Sequence, residues 1–350
     1  MMPALPVRCG SILPRSLREL GFLVCLCLLV PLVACGPADD DAPPPPDHIR
    51  AVVTPFLPTA PAHIAQQEGY FADENLEVEF VRLTRNIDAI PALAQGQVDV
   101  GAGQLTIAML NAIAGGARIR AVAGTGHLAP DGCTFHGIVV QRDLMDGSEP
   151  MRPELFRGRR VELDITIPHA YWFEKALQPA GLTLEDVEIV NVPTAAIIDA
   201  FATKAFDATS VAEPPLTQIL QSGHAVLWKG IEEVVPDYQL NMVFFGSTLL
   251  DERPEVGERY IKALLRGIEQ YNLGKTVRNL EILENTMRLS QDELMAMCWV
   301  TMHSDGRMHP EGFAAYQEWA MQRGLADRVL SADELIDTRF LDSASAELGR

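Results

Sequence analysis

The chain has 350 residues, 48% hydrophobic and 21% charged, enough apolar material for about two globular domains and too much for a disordered or fibrous protein. Its formal net charge is -19, and because residues 1–34 carry three arginines and one glutamate, everything from Cys35 onward stands at -21. Such a surface repels phosphate backbones and excludes a nucleic-acid partner.

Arg8, Arg15 and Arg18 precede "LGFLVCLCLLVPLVA", 15 residues without a charge. This is the layout of a secretory signal over residues 1–34, and the run is short for a membrane span. Pro31 near its end and the prolines behind it favour processing over a retained anchor helix. "LVAC" (Leu32, Val33, Ala34, Cys35) resembles the lipobox of bacterial lipoproteins, which implies that Cys35 carries the lipid and becomes the first residue. "GPADDDAPPPPD" cannot pack a core, so residues 35–47 read as a stiff spacer between the membrane and a body starting at His48. Cys133 and Cys298 are expected as buried free thiols, since nothing local brings them together, although an oxidising compartment would allow them to pair.

From residue 50 the chain alternates β-branched runs with helical patterns, the mark of an α/β fold with mostly parallel sheets. "RAVVT", "LEVEFVRL", "QVDVGAG" and "RIRAVAG" read as strands, with helices over Pro61–Glu68, Ile87–Gln95 and Leu105–Ala114. Pro61 suits a first helical turn and Asn86 a cap. A second series follows: "RRVELD", a helix over His169–Gln178, "VEIVNV", a helix over Ala195–Ala202, "FDATSV" and "HAVLW". The series echo one another, Asp99 matching Asp207 at a period near 108 residues, too long for a solenoid repeat. Two lobes sharing one β-α-β core account for this: lobe 1 over 48–128, lobe 2 over 129–243, and residues 244–350 completing lobe 1. Helices are expected over Val256–Tyr271, Lys275–Arg288, Gln291–Met302 and Gly312–Arg323, packed back on lobe 1. Chain crossings near 124–135 and 242–248 would then form a hinge.

Open parallel sheets take ligands beyond the carboxyl ends of their strands, so a cleft between the lobes is the expected site. Lobe 1 offers Thr54, Phe56, Thr59, Arg85, Gln104 and Thr125, and lobe 2 offers Thr166, His169, Tyr171, Trp172, Thr194 and Glu213. His169, Tyr171 and Trp172 gather polar-tipped aromatics at a helix start, with Phe56 as an opposing apolar wall; Trp172 and Phe173 also suit a helix's core face. Glu213 either accepts hydrogen bonds from the ligand or caps the next helix. Arg85 is the only cation in these loops.

"GAGQLT" fails as a dinucleotide fingerprint because Thr106 takes the third glycine position, and "GKT" at 274–276 fails as a P-loop because Glu269 stands where a glycine is needed. No nucleophile elbow is present. "CTFH" (Cys133, His136) and "HSDGRMH" (His303, Asp305, His309) hold metal-ligand types without a recognisable spacing, so neither metal nor cofactor is expected.

"APAHIAQQEGYFADENLEVEFV", "ALAQGQVDVGAG", "ELFRGRRVELD", "GLTLEDVEIVNVP", "FDATSVAEPP" and "LIDTRFLDSA" together resemble bacterial periplasmic binding proteins of the nitrate, sulfonate and thiamine-precursor type, the SsuA/THI5-like family. The resemblance implies a two-lobed type II fold, a small-molecule solute and an ABC permease as partner. Nitrate and sulfonate binders are expected to hold a full anion, whereas one cation in these loops favours a heteroaromatic or other uncharged polar solute. The expectation is a monomeric, lipid-anchored, non-enzymatic solute-binding protein on the periplasmic side of the envelope. An enzyme on the same fold, of pyrimidine or menaquinone-precursor type, and a ligand sensor for a membrane signalling protein are the alternatives.

Overall fold

The computed structural model describes residues 44–82, 88–145 and 152–349, with the side chain of Thr194 excepted. The signal segment, Cys35, most of the spacer, Arg85 and Asn86 lie outside the described residues. The first lobe begins with β1 (Asp47–Val52), α1 (Ala60–Gln67), α2 (Tyr70–Asp73), β2 (Leu76–Phe80), α3 (Ala89–Ala94), β3 (Val100–Gly103), α4 (Ile107–Ala114) and β4 (Arg120–Gly124). The second comprises β5 (His136–Gln141), β6 (Arg160–Glu162), α5 (Pro168–Leu177), β7 (Glu188–Val190), α6 (Ile197–Ala202), β8 (Ala208–Ala212), α7 (Pro215–Gln221) and β9 (Ala225–Gly230). The chain then returns through β10 (Met242–Phe245) to α8 (Pro254–Asn272), α9 (Val277–Met287), α10 (Gln291–Ala296), α11 (Glu311–Gln322), α12 (Ala332–Leu335) and α13 (Arg339–Glu347). No described helix is long and apolar enough to cross a membrane.

The two five-stranded sheets have equivalent strand orders, β2-β1-β3-β10-β4 and β7-β6-β8-β5-β9. The repeat extends to atoms. Asp99 accepts the Arg50 N–H at 2.8 Å and returns its own N–H to Arg50 O at 2.8 Å, while Asp207 accepts from Arg160 at 2.9 Å and donates back at 2.7 Å. Each aspartate satisfies the backbone donor of a neighbouring parallel strand where a β-α-β unit closes, which explains why the sequence repeats an acid there.

Each sheet is parallel except for one strand, β10 in the first and β5 in the second. Neither was among the expected strands. Both follow directly on a crossing from the other lobe, so each enters its sheet against the direction of its neighbours. Because Met242–Phe245 pair with β3 and β4, the second crossing is residues 231–241 rather than 242–248. The crossings bond to one another, Thr125 N–H to Asn241 O at 2.9 Å, Leu128 N–H to Tyr238 O at 3.0 Å and Leu240 N–H to Gly126 O at 2.9 Å.

The amphipathic α8 packs on α1, α2, β2 and α13, as expected of a helix completing lobe 1. At Gly267 a Cβ would stand 2.2 Å from Pro61 O, so only glycine allows the close approach of α8 to α1. α11 departs from the expectation: Trp319 Nε1 and Arg323 both bond the buried Glu174 carboxylate of α5, in lobe 2. The helix expected to run to Met302 stops at Ala296, where Met297 turns extended. Directly after it, Cys298 forms a disulfide with Cys133, their Cα atoms 5.7 Å apart. This corrects the expectation of two free thiols, because the tertiary fold lays the first crossing beside the segment after α10.

Candidate functional site at the lobe junction

Gln104, just past β3, and His169, in the first turn of α5, meet across the lobes, Gln104 Nε2 lying 3.3 Å from His169 Nε2. An amide nitrogen only donates, so this ring nitrogen accepts. A second link joins the Ile107 N–H to Thr166 O at 3.0 Å. Proline at the first helical position and an extended Ile167 start α5 here, which fixes His169 at the junction. One turn on, the Trp172 indole stacks under the His169 ring at 5.3 Å.

The antiparallel register of β5 and β8 adds two groups. His136 and Ser210 project side by side, Nε2 to Oγ 3.0 Å, and the His136 ring stands edge-on to His169 at 4.2 Å and to Trp172 at 5.0 Å. Burial pushes the His169 pKa down to about 4, and burial together with the neighbouring His169 pushes His136 well below its ordinary value. Both rings are neutral at neutral pH and act as hydrogen-bonding groups, not cations. His136 Nδ1 and Trp172 Nε1 are buried without a partner among the described residues. Elsewhere in lobe 1, His63 in the first turn of α1 is also buried, its Nε2 without a partner among the described residues and its ring edge-on to Phe80 at 4.9 Å.

The other expected residues are distributed unevenly. Phe56 is half-buried on the loop after β1, and Thr54 beside it is partly exposed. The Thr59 hydroxyl is turned onto its own loop, toward the carbonyls of Thr54 and Phe56. Thr125 is buried in the hinge, accepting from Asn241 Nδ2 at 2.7 Å. The Thr166 hydroxyl donates to Asp164 at 2.6 Å. Trp172 is 0% exposed and belongs to the core as well as to the junction, its ring also edge-on to Tyr238 at 5.1 Å. One residue apart on a helix points about 100° away, and Tyr171 packs among Tyr238, Tyr316 and Trp319. Glu213 caps: its carboxylate accepts the Thr217 hydroxyl at 2.6 Å, the Thr217 N–H at 3.0 Å and the Cys298 N–H at 3.1 Å. The Thr194 backbone starts a short turn before α6, and its side chain lies outside the described residues, as does Arg85.

Sequence reasoning missed His136 as a site residue and placed Ser210 only within a loop. His136 stood in "CTFH", where it was weighed as a metal ligand; the register that sets it opposite Ala212, diagonal to Ser210 on the same face, has no local signal. His303 and His309 are also not isolated, since the fold brings both against His127. A surface groove of about 420 Å³ between α2 and the edge strand β2 contains none of these residues.

Residues 58–272 match the family described as NMT1/THI5 like. The structure is similar to the ligand-binding component of an ABC-type import system from Staphylococcus aureus, solved with zinc bound, at 17% identity and a TM-score of 0.69 over 85% of this chain and 99% of that one. It is also similar to the periplasmic aliphatic sulphonate-binding protein SsuA from Escherichia coli, at 16% identity and a TM-score of 0.65 over 84% of this chain and 92% of that one. The desulfurization enzyme DSZB shares the fold at 14% identity and a TM-score of 0.62, over 87% of this chain and 100% of that one. No curated protein matches the sequence. At such identities the likeness speaks for the fold, which serves binding proteins and an enzyme alike. With two matched lobes, two crossings between them and a family match spanning more than half of its length, the chain belongs to the NMT1/THI5-like family and has the two-lobed fold of periplasmic binding proteins.

Proposed function

We propose that the protein is the solute-binding component of an ABC importer, exported by residues 1–34, tethered to the membrane through lipid on Cys35, and working as a monomer on the periplasmic side. It holds a small uncharged polar or heteroaromatic solute at the lobe junction and presents the closed form to a permease. The observation that carries this reading is the group of neutral rings at the junction, His136, His169 and Trp172, met by Gln104 from the first lobe, with His136 Nδ1 and Trp172 Nε1 buried and lacking a partner among the described residues. Buried polar groups are nearly always paired, and a bound solute would pair these. With the histidines neutral, the junction suits stacking and directed hydrogen bonds better than a full anion.

One observation favours an enzyme: the Ser210 hydroxyl lies 3.0 Å from His136 Nε2, the spacing of a nucleophile and its base. Against it, among the described residues no group orients the far nitrogen of that ring, His136 Nδ1. Native mass spectrometry of gently purified protein identifies the carried solute, and titration of that compound then tests the site. Binding without turnover, weakened at least 30-fold by His169→Ala (about 2 kcal/mol) with Phe56→Ala also weakened, supports the proposal. Chemical alteration of the compound that is abolished by Ser210→Ala turns the case to the enzyme. The mass of the mature N-terminal peptide reads the lipid on Cys35 directly.

A further inference from the structure

The second histidine cluster lies at the hinge, apart from the lobe junction. His127 stands on the first crossing, where its N–H donates to Thr301 O at 3.0 Å, and Gly124 N–H donates to Gly306 O at 2.8 Å. The loop after α10 thus lies along the crossing. Gln239 of the second crossing completes the clamp, accepting the His309 N–H at 2.9 Å and donating to Gly126 O at 2.8 Å. Backbone bonds therefore hold His127 and His309 in place independently of what the rings do.

The rings converge. His127 and His303 stack 4.2 Å apart and within 5° of parallel, and His309 lies 4.8 Å and 4.6 Å from them. One nitrogen from each ring lies within 4.8 Å of the others, and the Nε2 atoms of His303 and His309 are in contact. Two neutral imidazoles meeting through Nε2 share one proton between two lone pairs, while a cation between them accepts both lone pairs. A zinc ion with bonds of about 2.0–2.1 Å needs its ligand nitrogens about 3.3 Å apart, so the parallel His127 and His303 rings must turn about their side-chain bonds to aim both lone pairs at one point. Glu311 stands behind the site, its carboxylate 4.0 Å from His309 Nδ1, the nitrogen turned away from the convergence. The Arg307 charge beside the cluster is met by Asp305 at 3.2 Å. His127 is buried at the base of the cluster. His303 and His309 are partly exposed, so solvent reaches the cluster.

We propose that His127, His303 and His309 bind one divalent transition-metal ion of the zinc class, tying the first crossing to the loop after α10 and so bracing the hinge. Three imidazoles select zinc, cobalt, nickel or copper over magnesium and calcium, which prefer oxygen. The inference does not depend on the solute-binding proposal, because neither the residues nor the ligand are shared.

The test uses the intact, untagged protein stripped of metal with a chelator, and probes it with ZnCl2 and CoCl2 alone. Equilibrium dialysis should give one zinc per chain, and Co2+ should develop the intense visible absorption of tetrahedral coordination. His303→Ala and His309→Gln should each weaken zinc binding at least tenfold, while the exposed His48→Ala should not. Zinc should raise the melting temperature of the wild type and not of the double variant. A wild-type protein that gives no tetrahedral Co2+ spectrum overturns the proposal whatever the variants do. So does zinc binding that survives His303→Ala with His309→Gln, or that is lost instead on His136→Ala.

Discussion

His63 is the most direct test of how burial governs the chemistry of this fold. Its ring is 8% exposed, edge-on to Phe80, and burial pushes its pKa to about 4, with only a hydrogen bond to the Thr54 backbone opposing. In the unfolded chain a histidine titrates near 6.5. Between these values the unfolded state binds more protons, so the stability associated with a neutral His63 is complete above about pH 6.5 and is lost as pH falls toward 4. The full shift corresponds to about 3.4 kcal/mol, of which about 2 kcal/mol is lost by pH 5. His136 and His169 act in the same direction, whereas burial raises the Glu162 and Glu213 carboxyls, whose contribution grows as pH falls. The acid profile of the whole protein is therefore composite, and a variant is needed to isolate one group. His63→Phe keeps an aromatic ring against Phe80 and removes the titration. Urea denaturation at pH 7 and pH 5, followed by tryptophan fluorescence, should show the wild type losing about 2 kcal/mol more than the variant over that interval. Equal losses in the two proteins, within about 0.5 kcal/mol, would refute a buried neutral His63.

Two further outcomes concern the frame around the junction. Reduction of the Cys133–Cys298 bond, or the double serine variant, releases a loop closed over a separation of 165 residues and should lower stability by up to about 5 kcal/mol; coincident urea midpoints with and without dithiothreitol would contradict this. Gly267→Ala improves helix propensity by about 1 kcal/mol yet drives a methyl into Pro61 O, so a net loss of about 2 kcal/mol is expected. An unchanged or raised melting temperature would show that α8 shifts freely on α1.

The aromatic group "HAYW" shows how far local pattern reaches. A helix from His169 was legible in the sequence, within one residue of its observed start at Pro168, and so was a polar-tipped aromatic cluster at its first turn. Which of its rings faces the junction was not, because Tyr171 and Trp172 are equally apolar in sequence and only the packing of α11 against α5 draws Tyr171 away. Thr59 and Glu213 differ for another reason: short polar side chains beside a turn or helix start satisfy their own backbone first, and both do so.

By itself the sequence determined the α/β class, the two lobes and their shared core, because hydrophobic period and the repeated Asp99 and Asp207 are written into consecutive residues. The antiparallel strands β5 and β10, the placement of His169 against Gln104 65 residues away, of His136 against Ser210 74 residues away, and of Cys133 against Cys298 were decided by the tertiary structure alone. Local propensity constrains a residue through neighbours a few positions off, whereas these contacts depend on sheet order and on where the chain crosses between lobes, which are set by burial over the whole molecule.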